Sequence, residues 1–166
     1  MLSTAPRPLA ALQIIARHQA EFVVVGMMAG VLNGALVTTV DLDIVHRRTP
    51  ENIDRVLAAL VEMNAAYRDL TGRRLPPNPA LLSAMPGHNL FATNFGAVDV
   101  LSTIGDGGTY DDLVSSAIEV DLEGSRVKTI SLALLIEFKE KAGRPKDLAV
   151  LPILRNTLAE QLRHSR

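Results

Sequence analysis

Val40-Asp41-Leu42-Asp43-Ile44-Val45 places two carboxylates one residue apart inside a run of strand-forming apolar residues. Alternate side chains of a β-strand leave opposite faces, so Asp41 and Asp43 project to the same side, about 6.5–7 Å apart along the backbone. Two like charges on one face need a cation or protons to offset them. Gly96-Ala97-Val98-Asp99-Val100-Leu101 repeats the apolar–acid–apolar setting on what reads as a separate strand. Each acid taken singly is an ordinary outward-facing residue of a half-solvated strand. Taken together, Asp41, Asp43 and Asp99 supply hard oxygen donors that suit magnesium, an ion that fills its remaining positions with water and substrate phosphates. A nucleotide is the natural further ligand.

Outward from this stretch, periodicity and punctuation predict the remaining elements. Leu9, Leu12, Ile14 and Ile15 follow two prolines at helical spacing and predict a helix over residues 8–20. Phe22-Val23-Val24-Val25 reads as a buried strand ending at Gly26, and a short helix closes at Gly34. Thr49 with Pro50 and Glu51 has the form of a helix start, an N-cap followed by proline at the first helical position, and predicts a helix to about residue 63. Residues 64–87 carry Gly72, Arg73-Arg74 and Pro76-Pro77-Asn78-Pro79, and read as irregular with a short helix near 80–85. Strands over 89–94 and 97–103 form a hairpin turning at Phe95-Gly96, which puts Asp99 on its second arm. A helical turn over 110–115 precedes a second hairpin that turns at Glu123-Gly124. Ser131 caps a helix to about residue 142, Gly143-Arg144-Pro145 interrupts, and a last helix spans about 146–163. Alternating strands and helices followed by antiparallel hairpins predict an α/β (α+β) fold with a mixed sheet flanked by helices and a C-terminal helix pair. The expected organisation is a single domain over residues 1–166, with its core at about 20–130 and the terminal helices at about 131–165.

Bulk properties narrow the function classes. A net charge of −1 over 166 residues excludes a general electrostatic grip on nucleic acid and leaves room only for a local basic cleft. The chain has no cysteine, which removes disulfides, thiolate nucleophiles and cysteine zinc sites. His18, His46, His88 and His164 lack paired ligand spacing. Met1-Leu2-Ser3-Thr4-Ala5-Pro6-Arg7-Pro8 lacks the basic and apolar regions of an export leader, and the apolar runs are too short to span a bilayer. The expected location is the cytoplasm.

The chain resembles small bacterial nucleotidyltransferase-like proteins of the DNA polymerase beta type, including relatives of AbiE-type toxins. The matching pieces are Gly26, Ala29 and Gly34, then Thr39-Val40-Asp41-Leu42-Asp43, Val98-Asp99, and Lys141-Ala142-Gly143-Arg144-Pro145-Lys146-Asp147. The resemblance implies a minimal nucleotidyltransferase fold and transfer of a nucleoside monophosphate from an NTP to a hydroxyl of RNA or protein. It implies two Mg2+ ions, with Mn2+ as a substitute, held by Asp41, Asp43 and Asp99, the last also taking the proton of the attacking hydroxyl. It further implies a nucleotide site at Gly26, Met27 and Thr39, with Lys141, Arg144 and Lys146 neutralising the triphosphate. Lys139, Lys141, Arg144 and Lys146 also suit a helix end, where cations complement the dipole.

Two positions depart from the family pattern. Met27 stands where a second Gly or a Ser is usual, and Val37 stands four residues before Asp41, where Arg is usual. They motivate an alternative, a catalytically weakened binding or regulatory protein with a cognate toxin–antitoxin partner. A metal-dependent phosphohydrolase using the same acids ranks below both. Composition permits a homodimer without requiring one, and no membrane partner is expected.

Overall fold

The computed structural model describes residues 5–166, so the first four residues of the N-terminal stretch read above lie outside the described residues. The chain runs α1 (Pro8–Arg17), β1 (Phe22–Val25), α2 (Gly26–Leu32), β2 (Asp41–His46), α3 (Pro50–Glu62), β3 (Ala66–Tyr67), α4 (Pro79–Ser83), β4 (His88–Thr93), β5 (Gly96–Leu101), α5 (Tyr110–Val114), β6 (Ile118–Leu122), β7 (Ser125–Thr129), α6 (Leu132–Ala142) and α7 (Pro145–His164). The elements expected from sequence are present with bounds displaced by a few residues. β3 is the addition, a two-residue strand inside the stretch that reads as irregular. The helix starts follow the residues that predict them: Thr49 accepts a hydrogen bond from the Asn52 N–H and Ser131 from that of Leu134.

The strands form one mixed sheet in the order β3-β4-β5-β2-β1-β7-β6. β2 lies inside it, antiparallel to β1 and parallel to β5. Leu42, Ile44, Val98, Val100 and Phe91 share one face and are fully buried, with α1 laid against β2 and β5 and α3 against α1 and α4. The other face of this half of the sheet carries Asp41, Asp43, Ala97, Asp99, Leu90 and Ala92, none of them buried. The pleat thus separates an apolar core face from an acid-bearing face within the same strands.

Buried polar groups fix the frame around β2. The Asn52 side chain accepts from the Glu21 N–H at 2.6 Å and donates to the Glu21 and Arg47 carbonyls, each at 2.8 Å, joining α3 to the start of β1 and the end of β2. His46 is 1% exposed, with Nδ1 3.0 Å from the Leu101 carbonyl and Nε2 2.7 Å from that of Leu82. Burial pushes its imidazole below the usual histidine range. This histidine ties the ends of β2 and β5 to α4, a structural role. At the other end of the molecule, Gly143 ends α6 in the left-handed conformation (φ +63°) and Pro145 opens α7, so the two helices fold back on each other.

Candidate active site

The parallel register of β2 and β5 sets Asp43 directly opposite Asp99. Neighbouring strands stand about 4.8 Å apart, so two side chains in register on the same face necessarily meet. The two carboxyl groups stand within hydrogen-bonding reach of each other, an arrangement that favours a proton or a cation between them. Burial, then the charge and hydrogen bond of Asp99, then the charge of Asp41, push Asp43 up to about 7, while the charge of Lys139 works against the rise. Burial also raises Asp99, opposed by Arg68 and by the hydrogen bond from Asp43. Asp41 faces the same side at the start of β2, exposed, and acts on both through its charge. Among the described residues, no three His, Asp or Glu side chains stand close enough together to form a ready-made cation cage. Asp43 and Asp99 are therefore a contacting pair, and Asp41 is an outlying third acid.

Gly26, at the junction of β1 and α2, has φ +64°, and a β-carbon built on it would lie 2.4 Å from Oδ2 of Asp43. Val25 pairs with Asp43 across β1 and β2, so the glycine passes directly over the carboxylate. Only a residue without a side chain fits that approach.

Asp43 and Gly26 open into a cleft of about 390 Å³ whose far wall is Phe138, Lys139, Lys141 and Arg144 at the turn between α6 and α7. The wall is braced from inside by Asp147, which is fully buried. Lys139 donates to its Oδ1 at 2.9 Å, and Arg144 contributes Nε to Oδ2 at 2.5 Å and Nη2 to Oδ1 at 3.2 Å. Burial alone would raise the Asp147 carboxyl, but the hydrogen bonds from Arg144 and Lys139 overcome it and hold the group at about 2. Lys141 approaches Asp106 at 3.8 Å, both groups being exposed at the cleft mouth.

Of the residues singled out in sequence, Asp43, Gly26, Lys141 and Arg144 share this cleft. Thr39 instead bonds the backbone of Asp41, accepting from its N–H at 3.3 Å and donating to its carbonyl at 3.0 Å, and so fixes the entry into β2. Its side chain borders a separate apolar groove shared with Met28, Val31 and Val37. Met27 is half-buried and Lys146 exposed, and neither lines the cleft. Two further residues belong to the site. Lys139 faces the cleft and acts on Asp43, and its sequence signal was membership of the basic cluster at the end of α6. Arg68, just beyond β3, places Nη2 2.6 Å from Oδ1 of Asp99. No local pattern marks it.

The donor set fits a hard divalent cation. Two carboxylates in contact carry a like-charge conflict, and a guanidinium already stands against one of them in the place of a cation.

The mixed sheet with a helix pair closing one side has a counterpart among solved structures. The chain is similar to the crystal structure of a putative nucleotidyltransferase from Thermotoga maritima, with a TM-score of 0.55 and 18% identity over 92% of each chain. At that identity the likeness is one of fold. No protein-family model and no curated protein matches the chain. No helix among the described residues is long and apolar enough to cross a membrane.

Proposed function

We propose that the protein is a metal-dependent nucleotidyltransferase that moves a nucleoside monophosphate from an NTP to a hydroxyl acceptor on RNA or protein. The observation that carries this reading is the contact of Asp99 with Asp43, the acid that lines a cleft walled by Lys139, Lys141 and Arg144. Acids on one side and bases on the other suit a ligand whose reacting phosphate meets carboxylate-bound cations while its outer phosphates meet ammonium and guanidinium groups. Asp43 and Asp99, with the outlying Asp41 on the same face, would hold Mg2+ or Mn2+, and two such ions stabilise the entering and leaving oxygens of an in-line displacement. Lys141 and Arg144 would neutralise the outer phosphates, and Lys139 would hold the phosphate nearest Asp43. Gly26, without a side chain, leaves the cleft beside the Asp43 carboxylate open. Asp99 would take the acceptor's proton as its oxygen bonds the α-phosphorus and pyrophosphate leaves. The test is calorimetric titration with each NTP and Mg2+, followed by transfer of an α-labelled nucleotide to cellular RNA and protein. Binding with pyrophosphate release is expected, and both are lost in Asp43→Ala. Absence of NTP binding in every titration would end this reading.

A second reading is favoured by the outlying position of Asp41 and by Met27 at the start of α2. In it the cleft binds nucleotide without turnover, and the protein acts as a regulatory module or as one half of a toxin–antitoxin pair. NTP binding without label transfer distinguishes it from the first.

A further inference from the structure

Arg68 reaches the acids from the edge of the sheet. Its N–H donates to the Leu90 carbonyl at 2.9 Å, continuing the β3–β4 ladder by one residue. Leu90 stands opposite Asp99 and Asp99 opposite Asp43, so Arg68, Leu90, Asp99 and Asp43 form one row across the acid-bearing face. The guanidinium passes over Leu90, which is 39% exposed, and meets Asp99 Oδ1 at 2.6 Å. Asp99 is its ion-pair partner, and the side chain is 38% exposed. A cation bound by Asp43 and Asp99 would place two further positive charges within a few ångströms of the guanidinium, close enough for strong mutual repulsion.

We propose that Arg68 is an exchangeable counter-ion: it holds Asp99 in the cation-free protein and leaves that carboxylate when a divalent cation binds, so that guanidinium and cation compete for one ligand. This rests on the metal-site reading above. The geometry supports exchange over permanent bracing. The contact is a single hydrogen bond rather than the two-pronged grip that Arg144 has on Asp147, and the half-exposed side chain has solvent to move into. An arginine that only braced Asp99 would help a cation to bind. A competing one hinders it.

The two roles predict opposite signs for one measurement. Mn2+ is titrated into the full-length protein without nucleotide and the free ion is counted by electron paramagnetic resonance, for the wild type, Arg68→Gln, Arg68→Lys and Asp43→Ala. Arg68→Gln is expected to bind Mn2+ about tenfold more tightly, the effect of removing one charge-assisted contact. Arg68→Lys, which keeps the charge, is expected to stay near the wild type. The rise in melting temperature on adding Mn2+ is expected to be larger for Arg68→Gln than for the wild type, a readout independent of turnover. Equal or weaker Mn2+ binding by Arg68→Gln, with the wild type binding normally, overturns the counter-ion role and leaves the metal site standing. Mn2+ binding that persists unchanged in Asp43→Ala, or that is absent from all four proteins, overturns both.

Discussion

Gly26 and Asp43 are in steric register: a single added carbon on the glycine would fall 2.4 Å from Oδ2 of the carboxylate. The positive φ of Gly26 adds backbone strain to any replacement. Gly26→Ala is therefore expected to displace Asp43, lower stability by about 1–2 kcal/mol, and abolish Mg2+–NTP binding measured by calorimetry. A variant that keeps full affinity would show that the approach of β1 to the carboxylate can relax without consequence.

Asp43→Asn removes the charge conflict with Asp99. The folded protein pushes this carboxyl up to about 7 from an ordinary value of 3.8, so folding favours the protonated form. Its contribution is present below about 4 and is lost as pH rises through 7. At pH 8.5 in EDTA the asparagine variant is expected to melt about 2–4 °C higher than the wild type, the shift that a gain near 1 kcal/mol gives at this size. Its melting point is also expected to be indifferent to Mg2+ and NTP. Scanning calorimetry with and without Mg2+ measures both effects, and a lower melting point in EDTA would contradict the repulsion.

Asp147 behaves in the opposite sense. Its carboxyl is held at about 2, below the ordinary 3.8, so folding favours the charged form. The stabilisation is complete above about pH 4 and disappears as pH falls towards 2. Asp147→Ala leaves Lys139 without its buried partner and is expected to cost about 3 kcal/mol at neutral pH. The loss shrinks in acid, where the wild type has already given up part of the same interaction. Urea denaturation at pH 7 and pH 3 reads the difference, and an equal loss at both values would exclude the ion-pair explanation.

Lys139 stands between the brace and the cleft, bonded to Asp147 and acting on Asp43. Lys139→Met keeps the length of the side chain and removes its charge. It is expected to weaken NTP binding about tenfold or more, as loss of a charge-assisted phosphate contact should. Lys146→Met, on the exposed outer side of α7, is expected to change it less than twofold. Parallel titrations with one NTP decide it, and equal effects would mean that the cleft is not where the triphosphate lies.

The order of elements was legible because the residues around it are locally unambiguous. Thr49-Pro50 starts a helix whatever lies elsewhere, and Phe22-Val23-Val24-Val25 has no other economical fate than a buried strand. That Asp41 and Asp43 share a face was equally legible, since alternation is a property of one strand. Their relation to Asp99 was expected but not derivable, because it depends on β2 and β5 pairing in parallel with the hairpin arm β4 outside them. β3 and Arg68 were illegible for a physical reason: two residues have no periodicity, and Ala66-Tyr67 acquires strand form only from β4. Asp147 could equally have been a helix cap, and its burial against Lys139 emerges only when α6 and α7 fold back at Gly143.

The outermost strand, two residues long and held by β4 on one side only, is what delivers Arg68 to the middle of the molecule. Fraying of that margin would withdraw positive charge from the acids while the inner strands kept their register. A change at the rim near Arg68 would therefore alter the potential at Asp99 and Asp43 from a distance, without touching a carboxylate.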